Sequence, residues 1–318
     1  MTDPVRLEKL EHLRTVVIGL GWWGQRIASY VDEHEEATLA AVVDLDPELV
    51  EETTDKVDAP GYLDYNETFD ERALDVAIIV VGPDAHVPVA TDCLEAGLHT
   101  YLEKPAGPVD DPEAILRLED IAIESGVTIT PGYSQRYHPY AEEIIDVVRS
   151  GDIGRVRSID IVRQTDWNDN PHPAPSWGIH DYDLCCLVAD SRPAEIDVRI
   201  PSIDGELHTP TADVLIEHEN GIISRCKTNV TAYELDITMR VHGDAGEVVG
   251  NRQDQWVKVT TPTETWERSV TEAPYFIDRA LDVYFAGLRN GQLEFATPEE
   301  VVRGRTIQAA VYDAIEQA

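Results

Sequence analysis

The stretch Thr15-Val16-Val17-Ile18-Gly19-Leu20-Gly21-Trp22-Trp23-Gly24 decides how this chain folds. Thr15 to Leu20 is a short apolar run of the kind that becomes a buried strand. Three glycines at G-x-G-x-x-G spacing close it, and the helical pattern of Trp22 to Glu35 starts among them. A strand that turns through glycines straight into a helix is the setting in which this spacing holds a dinucleotide. Gly19 permits the tight turn, Gly21 lets the backbone approach a pyrophosphate, and Gly24 lets helix and strand pack closely. The helix then offers unpaired N–H groups and the positive end of its dipole to the phosphates. Trp22 and Trp23 fill the variable positions; one covers the cofactor or both pack, and the residues leave that open.

Outward from this turn, strands and helices alternate. Thr38 to Val43 reads as a strand and Pro47 to Thr54 as a helix, followed by a looser stretch from Gly61 to Glu67. Ala77 to Val81 is a buried strand, and Val87 to Ala96 a helix stopped by Gly97. Thr100 to Glu103, Pro112 to Glu124 and Val127 to Thr130 continue as strand, helix and strand. Continuous apolar strands between helices predict a parallel sheet covered on both faces. Residues 1–132 therefore read as a doubly wound, Rossmann-type α/β domain. Asp44 stands 20 residues past Gly24 at the end of the second strand. A carboxylate there accepts hydrogen bonds from the adenosine ribose and repels a 2′-phosphate, which predicts NAD rather than NADP.

Beyond residue 132 the pattern changes. A helix from Tyr140 to Arg149 leads into β-branched or alternating runs at Arg155–Arg163, Glu195–Ile200, Ala212–Glu219, Ile222–Thr231, Asp236–His242 and Trp256–Thr261. Helices are expected near Trp177–Val188, Tyr275–Arg289 and Pro298–Ala318. Residues 133–318 thus read as an α+β domain with a large, mainly antiparallel open sheet.

Charge adds a second theme. The 318 residues hold 61 Asp and Glu against 25 Lys and Arg, a net charge of -36, and lysine occurs only at 9, 56, 104, 227 and 258. Such self-repulsion is screened in concentrated salt, where the Debye length is about 3 Å at 1 M. This predicts a salt-adapted protein of an archaeal cytoplasm. No basic stripe suits nucleic acid or an anionic membrane. Met1 to Arg14 lacks the apolar core of a signal peptide, and no run reaches the roughly 20 apolar residues of a membrane span. Cys93, Cys185, Cys186 and Cys226 show neither metal-ligand nor disulfide-framework spacing, so no metal is expected.

Several further segments carry a family resemblance: Gly82-Pro83-Asp84-Ala85-His86, Ala96 to Pro105 with its Glu103-Lys104-Pro105, Gly132 to Pro139, Ser150 to Gly154 and Gly178 to Leu184. Together with the glycine turn they resemble the glucose-fructose oxidoreductase, inositol dehydrogenase and MocA-like family over nearly the whole chain. The resemblance implies NAD-dependent hydride transfer to or from a secondary hydroxyl of a sugar, polyol or nucleotide-sugar. It implies that Lys104 and His180 are catalytic. Lys104 would stabilise an alkoxide and His180 remove a proton, as imidazole suits near neutral pH. Alternatively, His180 only positions substrate or is structural. His99, His138 and His172 are less well placed. Pro83, His86 and Glu103 join Gly19, Gly21, Trp22, Trp23, Gly24, Asp44 and Lys104 as cofactor contacts. Tyr133, Arg136, Trp167, Asn168 and Asp183 join His180 as substrate contacts, although Asp183 matches a position usually explained by structure. Members often carry an Asp four residues before the histidine; this chain has Ser176, with Asp181 or Asp183 as substitutes. A homodimer or homotetramer is implied as well. Two other activities stay open, an NAD-retaining glycoside-cleaving enzyme and a non-catalytic NAD sensor.

Overall fold

Six parallel strands stand in the order β3-β2-β1-β4-β5-β6. They are β1 (Arg14–Ile18), β2 (Thr38–Val43), β3 (Gly61–Tyr62), β4 (Val76–Ile79), β5 (His99–Glu103) and β6 (Ile129–Gly132). Between them run α1 (Trp22–Asp32), α2 (Pro47–Thr54), α3 (Asn66–Glu71), α4 (Pro83–Glu95) and α5 (Ala114–Ser125). The chain reverses its direction of strand addition between β1 and β4, which pair in register from Thr15↔Val76 to Ile18↔Ile79. In open sheets of this kind ligands gather at the carboxyl ends of the strands beside that reversal. Val16, Val17, Ala77 and Ile78 are wholly buried, as expected of strands covered on both faces. This computed structural model describes residues 9–71, 73–165, 173–203, 206–207, 210–230, 234–271 and 274–317.

The second sheet has eight strands in the order β16-β15-β14-β13-β7-β12-β11-β8. A short 3-10 turn at Ser134–Tyr137 and α6 (Pro139–Ser150) precede β7 (Val156–Gln164), and α7 (Pro173–Ala189) follows it. Then come β8 (Pro193–Arg199), the small β9 (Ser202–Ile203) and β10 (Glu206–Leu207) pair, β11 (Thr211–His218) and β12 (Ile223–Asn229). Four strands finish the sheet: β13 (Asp236–Gly243), β14 (Glu247–Asn251), β15 (Trp256–Thr260) and β16 (Thr265–Ser269). Every neighbouring pair is antiparallel except β7 with β12. Alternate residues, such as Val214 and Ile216 on β11 and Met239 and Val241 on β13, share one core with Tyr140, Ile144, Tyr182 and Leu184 of α6 and α7.

Two strands of the eight-stranded sheet, β14 and β16, are absent from the sequence reading, as is the small β9–β10 pair. Gly250 interrupts β14, and a Cβ there would come 2.8 Å from Ile144 Cδ1, so close packing by α6 selects a residue that weakens the strand signal. β16 is a largely exposed edge strand with little alternation to read.

α8 (Phe276–Asn290) and α9 (Pro298–Glu316) close the chain. It divides into two units, residues 1–133 with 277–299, and residues 134–276 with 300–318. A single cut after residue 132 therefore leaves out the return of α8 to the first unit. There Asp278 takes a two-pronged hydrogen bond from Arg26 at 2.8 and 3.0 Å, and Phe285 meets the His34 ring edge-on. Among the described residues no helix is long and apolar enough to cross a membrane.

Candidate active site

The glycine turn contains two kinds of glycine. Gly19 has φ +96°, and a Cβ on it would lie 2.7 Å from the Val80 carbonyl; a Cβ on Gly24 would lie 1.8 Å from the Gly19 oxygen. Both are demanded by the fold itself. Gly21 differs, because nothing lies within 4 Å of where its Cβ would be. It is the N-cap of α1 and supplies no side-chain cap. Gly82 repeats this at the N-cap of α4, again facing open space, with Pro83 at the first helical position. Two helix N-termini without side-chain caps thus follow the two strands at the reversal, each with space before it. This is the cradle a dinucleotide pyrophosphate requires, and the residues fit NAD.

Asp44 does more than expected. Its Oδ2 accepts from the Leu20 N–H at 2.6 Å and its Oδ1 from the Asp46 N–H at 2.9 Å, so it ties the glycine turn to the end of β2. A carboxylate offers about four acceptor sites, which leaves capacity for a ribose diol. Trp22 and Trp23 meet edge to face, 4.5 Å between centroids. Trp22 is 67% exposed and lines a groove of about 720 Å³ along α1 with Gln25, Arg26 and Tyr30.

At the end of β5 the carboxyl of Glu103 is buried. Its Oε2 accepts from the Lys104 N–H at 3.1 Å, and its Oε1 has no partner among the described residues. Burial pushes its pKa up to about 7, against the pull of the Lys104 charge. The Lys104–Pro105 peptide is cis. His86, predicted as a cofactor contact, is buried with Nδ1 2.8 Å from the Pro105 oxygen and Nε2 3.0 Å from the Val81 oxygen. Its two ring nitrogens thus face one backbone oxygen in the Glu-Lys-Pro turn and one just past β4.

In the second unit, α7 carries His180, 4% exposed, with Ser176 one turn earlier on the same face. The Trp177 ring lies 6.4 Å from that of His180. Both suggested substitutes for the acid at 176 bond arginines. Asp181 takes two hydrogen bonds from Arg163 of β7, at 2.8 and 2.6 Å. Asp183 takes two from Arg136, at 2.7 and 2.6 Å, and Glu300 of α9 takes a third from Arg136 at 2.6 Å. Burial opposes the charge on Arg136, but Asp183 and Glu300 outweigh it and raise its pKa. Arg136 and Asp183, expected as substrate contacts, thus form a buried ion cluster with Glu300. Tyr133 is wholly buried too, and Trp167, Asn168 and His172 lie outside the described residues.

The other described histidines of the sequence reading have structural partners. The Nδ1 of His99 meets Thr128 Oγ1 at 3.0 Å, and burial lowers the His99 pKa to about 4. His138 caps α6 by accepting from the Tyr140 N–H.

A Rossmann unit with this cradle, joined to a sheet domain bearing a buried histidine, defines a nicotinamide-dependent oxidoreductase. Residues 13–133 match the oxidoreductase family with an NAD-binding Rossmann fold, and residues 141–249 match the GFO/IDH/MocA C-terminal domain; the chain belongs to this family. An inositol 2-dehydrogenase of Corynebacterium glutamicum is 26% identical over 236 residues, covering 69% of this chain and 67% of its own. Among solved structures, a UDP-N-acetylglucosamine 3-dehydrogenase of Acidithiobacillus ferrooxidans superposes with TM-score 0.86 at 19% identity, covering 97% of this chain and 99% of its own. Levoglucosan dehydrogenase with NADH and levoglucosan gives 0.82 at 16% identity, covering 96% and 98%.

Proposed function

We propose that this protein is an NAD-dependent dehydrogenase moving a hydride between nicotinamide and a secondary hydroxyl of a sugar, polyol or nucleotide-sugar. The observation that carries the reading is the pair of glycine-headed helix N-termini, open at Gly21 and Gly82, in the same unit as Glu103-Lys104-Pro105. The names of the relatives, which concern inositol, levoglucosan and UDP-N-acetylglucosamine, support the substrate class.

When bound, NAD supplies the hydride acceptor. The remaining work falls to side chains and backbone of this chain. The first-turn N–H groups of α1 and α4 neutralise the diphosphate, and Asp44 selects the unphosphorylated ribose. Lys104, held by the turn that His86 braces, stabilises the developing alkoxide with its ammonium group. His180 takes the hydroxyl proton. Asp181 and Asp183, on the same helix, each hold an arginine. The open face of the eight-stranded sheet, where Leu215 and Ile223 are 42% and 38% exposed, is the surface for a homodimer or homotetramer. The charge of -36 supports a salt-rich cytoplasm as the working environment.

The test is NAD reduction at high salt over a panel of inositols, sugars and UDP-sugars, with NADP in parallel. Lys104→Ala and His180→Ala are each expected to lower turnover by about 10²- to 10⁴-fold while NAD still binds. Wild-type rates in either variant remove that residue from the mechanism, and preference for NADP removes the role of Asp44. Turnover without added NAD marks a cofactor-retaining enzyme instead.

A further inference from the structure

We propose that Trp177 is the platform on which a substrate ring lies while its hydroxyl meets His180, so that this residue selects ring-shaped sugars and cyclitols over open-chain polyols. The inference rests on the dehydrogenase reading above and adds a determinant to it. Trp177 and His180 are three residues apart on α7 and share a face of that helix. Their rings stand 6.4 Å apart and tilted by 50°, forming two walls of a corner. Elsewhere on α7, Tyr182 and Leu184 are wholly buried in the core of the second unit and the partly exposed Leu187 packs against it, whereas Trp177 keeps part of its surface exposed beside His180.

The indole is also held from behind. The guanidinium carbon of Arg163 lies 5.9 Å from the ring centroid, within cation–π reach. Arg163 is itself 1% exposed, and its two-pronged bond to Asp181 keeps it from swinging away. The platform is thus braced by a charge pair anchored on β7. A pyranose or cyclitol ring presents a flat set of C–H bonds that packs on an aromatic face, and an indole offers a large rigid area with few rotatable bonds. An extended polyol has no equivalent face, so it gains less from the same contact.

The experiment is steady-state kinetics at high salt with myo-inositol, D-glucose and UDP-N-acetylglucosamine as ring probes and sorbitol as the open-chain probe. The proteins are the wild type, Trp177→Ala, Trp177→Leu and Trp177→Phe. Trp177→Ala and Trp177→Leu are expected to raise KM for the ring substrate about tenfold with kcat changed less than about threefold. Trp177→Phe should keep most of the wild-type KM, the KM for sorbitol should rise less than that for the ring substrate, and NAD affinity should not move. An unchanged KM in the Leu variant, or Leu restoring KM as well as Phe, overturns the platform, since either marks an apolar filler. The Leu and Phe pair keeps this decisive even where Ala impairs folding. A wild type that binds NAD yet oxidises nothing in the wider panel of inositols, sugars and UDP-sugars defeats the dehydrogenase reading and this one with it. An active wild type whose Trp177 variants behave alike defeats this one alone.

Discussion

Around the glycine turn the decisive positions are those where a side chain is missing, whereas along α7 they are those where a buried charge finds its partner. Gly21 and Gly82 matter for the space in front of them, and Gly19 and Gly24 for backbone that would otherwise collide. On α7, Asp181 matters because it neutralises the buried Arg163, and Asp183 because it shares the buried Arg136 with Glu300. A site made from backbone tolerates little change at a few glycines. One made from ion pairs depends on distant residues being kept together, since removing one partner of a buried pair costs far more than the pair contributes.

The largest effect that can break this comparison is at Gly24. Gly24→Ala puts a Cβ 1.8 Å from the Gly19 oxygen, and a loss above about 4 kcal/mol in urea unfolding is expected. A smaller loss would show that the turn yields. Next comes Asp181→Asn, which strands the buried Arg163 guanidinium. A loss of about 4 kcal/mol is expected with NAD affinity unaltered.

Glu103 sharpens the contrast, because it places a buried charge problem inside the backbone-built half. Its pKa rises from 4.5 to about 7 on burial, so the folded chain holds this proton more tightly than the unfolded one. Stability should therefore fall as pH climbs from about 4.5 to about 7 and then level off. Glu103→Gln should flatten that stretch and stabilise the protein above pH 7 by up to about 3 kcal/mol; an unchanged pH profile of unfolding would refute it. The smallest stability effect is at Gly21, where alanine meets no atom within 4 Å. Melting should move by less than about 1 kcal/mol, while NAD affinity measured by titration falls at least about tenfold, because the methyl group takes the space of the pyrophosphate.

The same contrast explains what could be read from sequence. β2 and α2 have the bounds their residues predict, since an apolar run and the Asp46-Pro47 start signal are local. α4 begins at Pro83 rather than Val87, because Gly82 at its N-cap and Pro83 after it are a start signal that resembles a loop. The glycine turn and Asp44 lie within 26 residues of one another and are legible together. Arg163 and Asp181 are 18 residues apart, Arg136 and Asp183 47, and Arg136 and Glu300 164. No spacing rule connects such partners, so the ion cluster of Arg136, Asp183 and Glu300 could not be read from the sequence.

The return of residues 277–299 to the first unit means that the polypeptide passes from one unit to the other three times. A chain stopped after residue 133 would lack Tyr284 and Phe285, both wholly buried, and would present an apolar wound where they belong. Neither lobe is consequently an heirloom that a single crossover could pass on. Exchanging the second unit would demand two separate segments, 134–276 and 300–318, at once, which favours divergence by point substitution over shuffling.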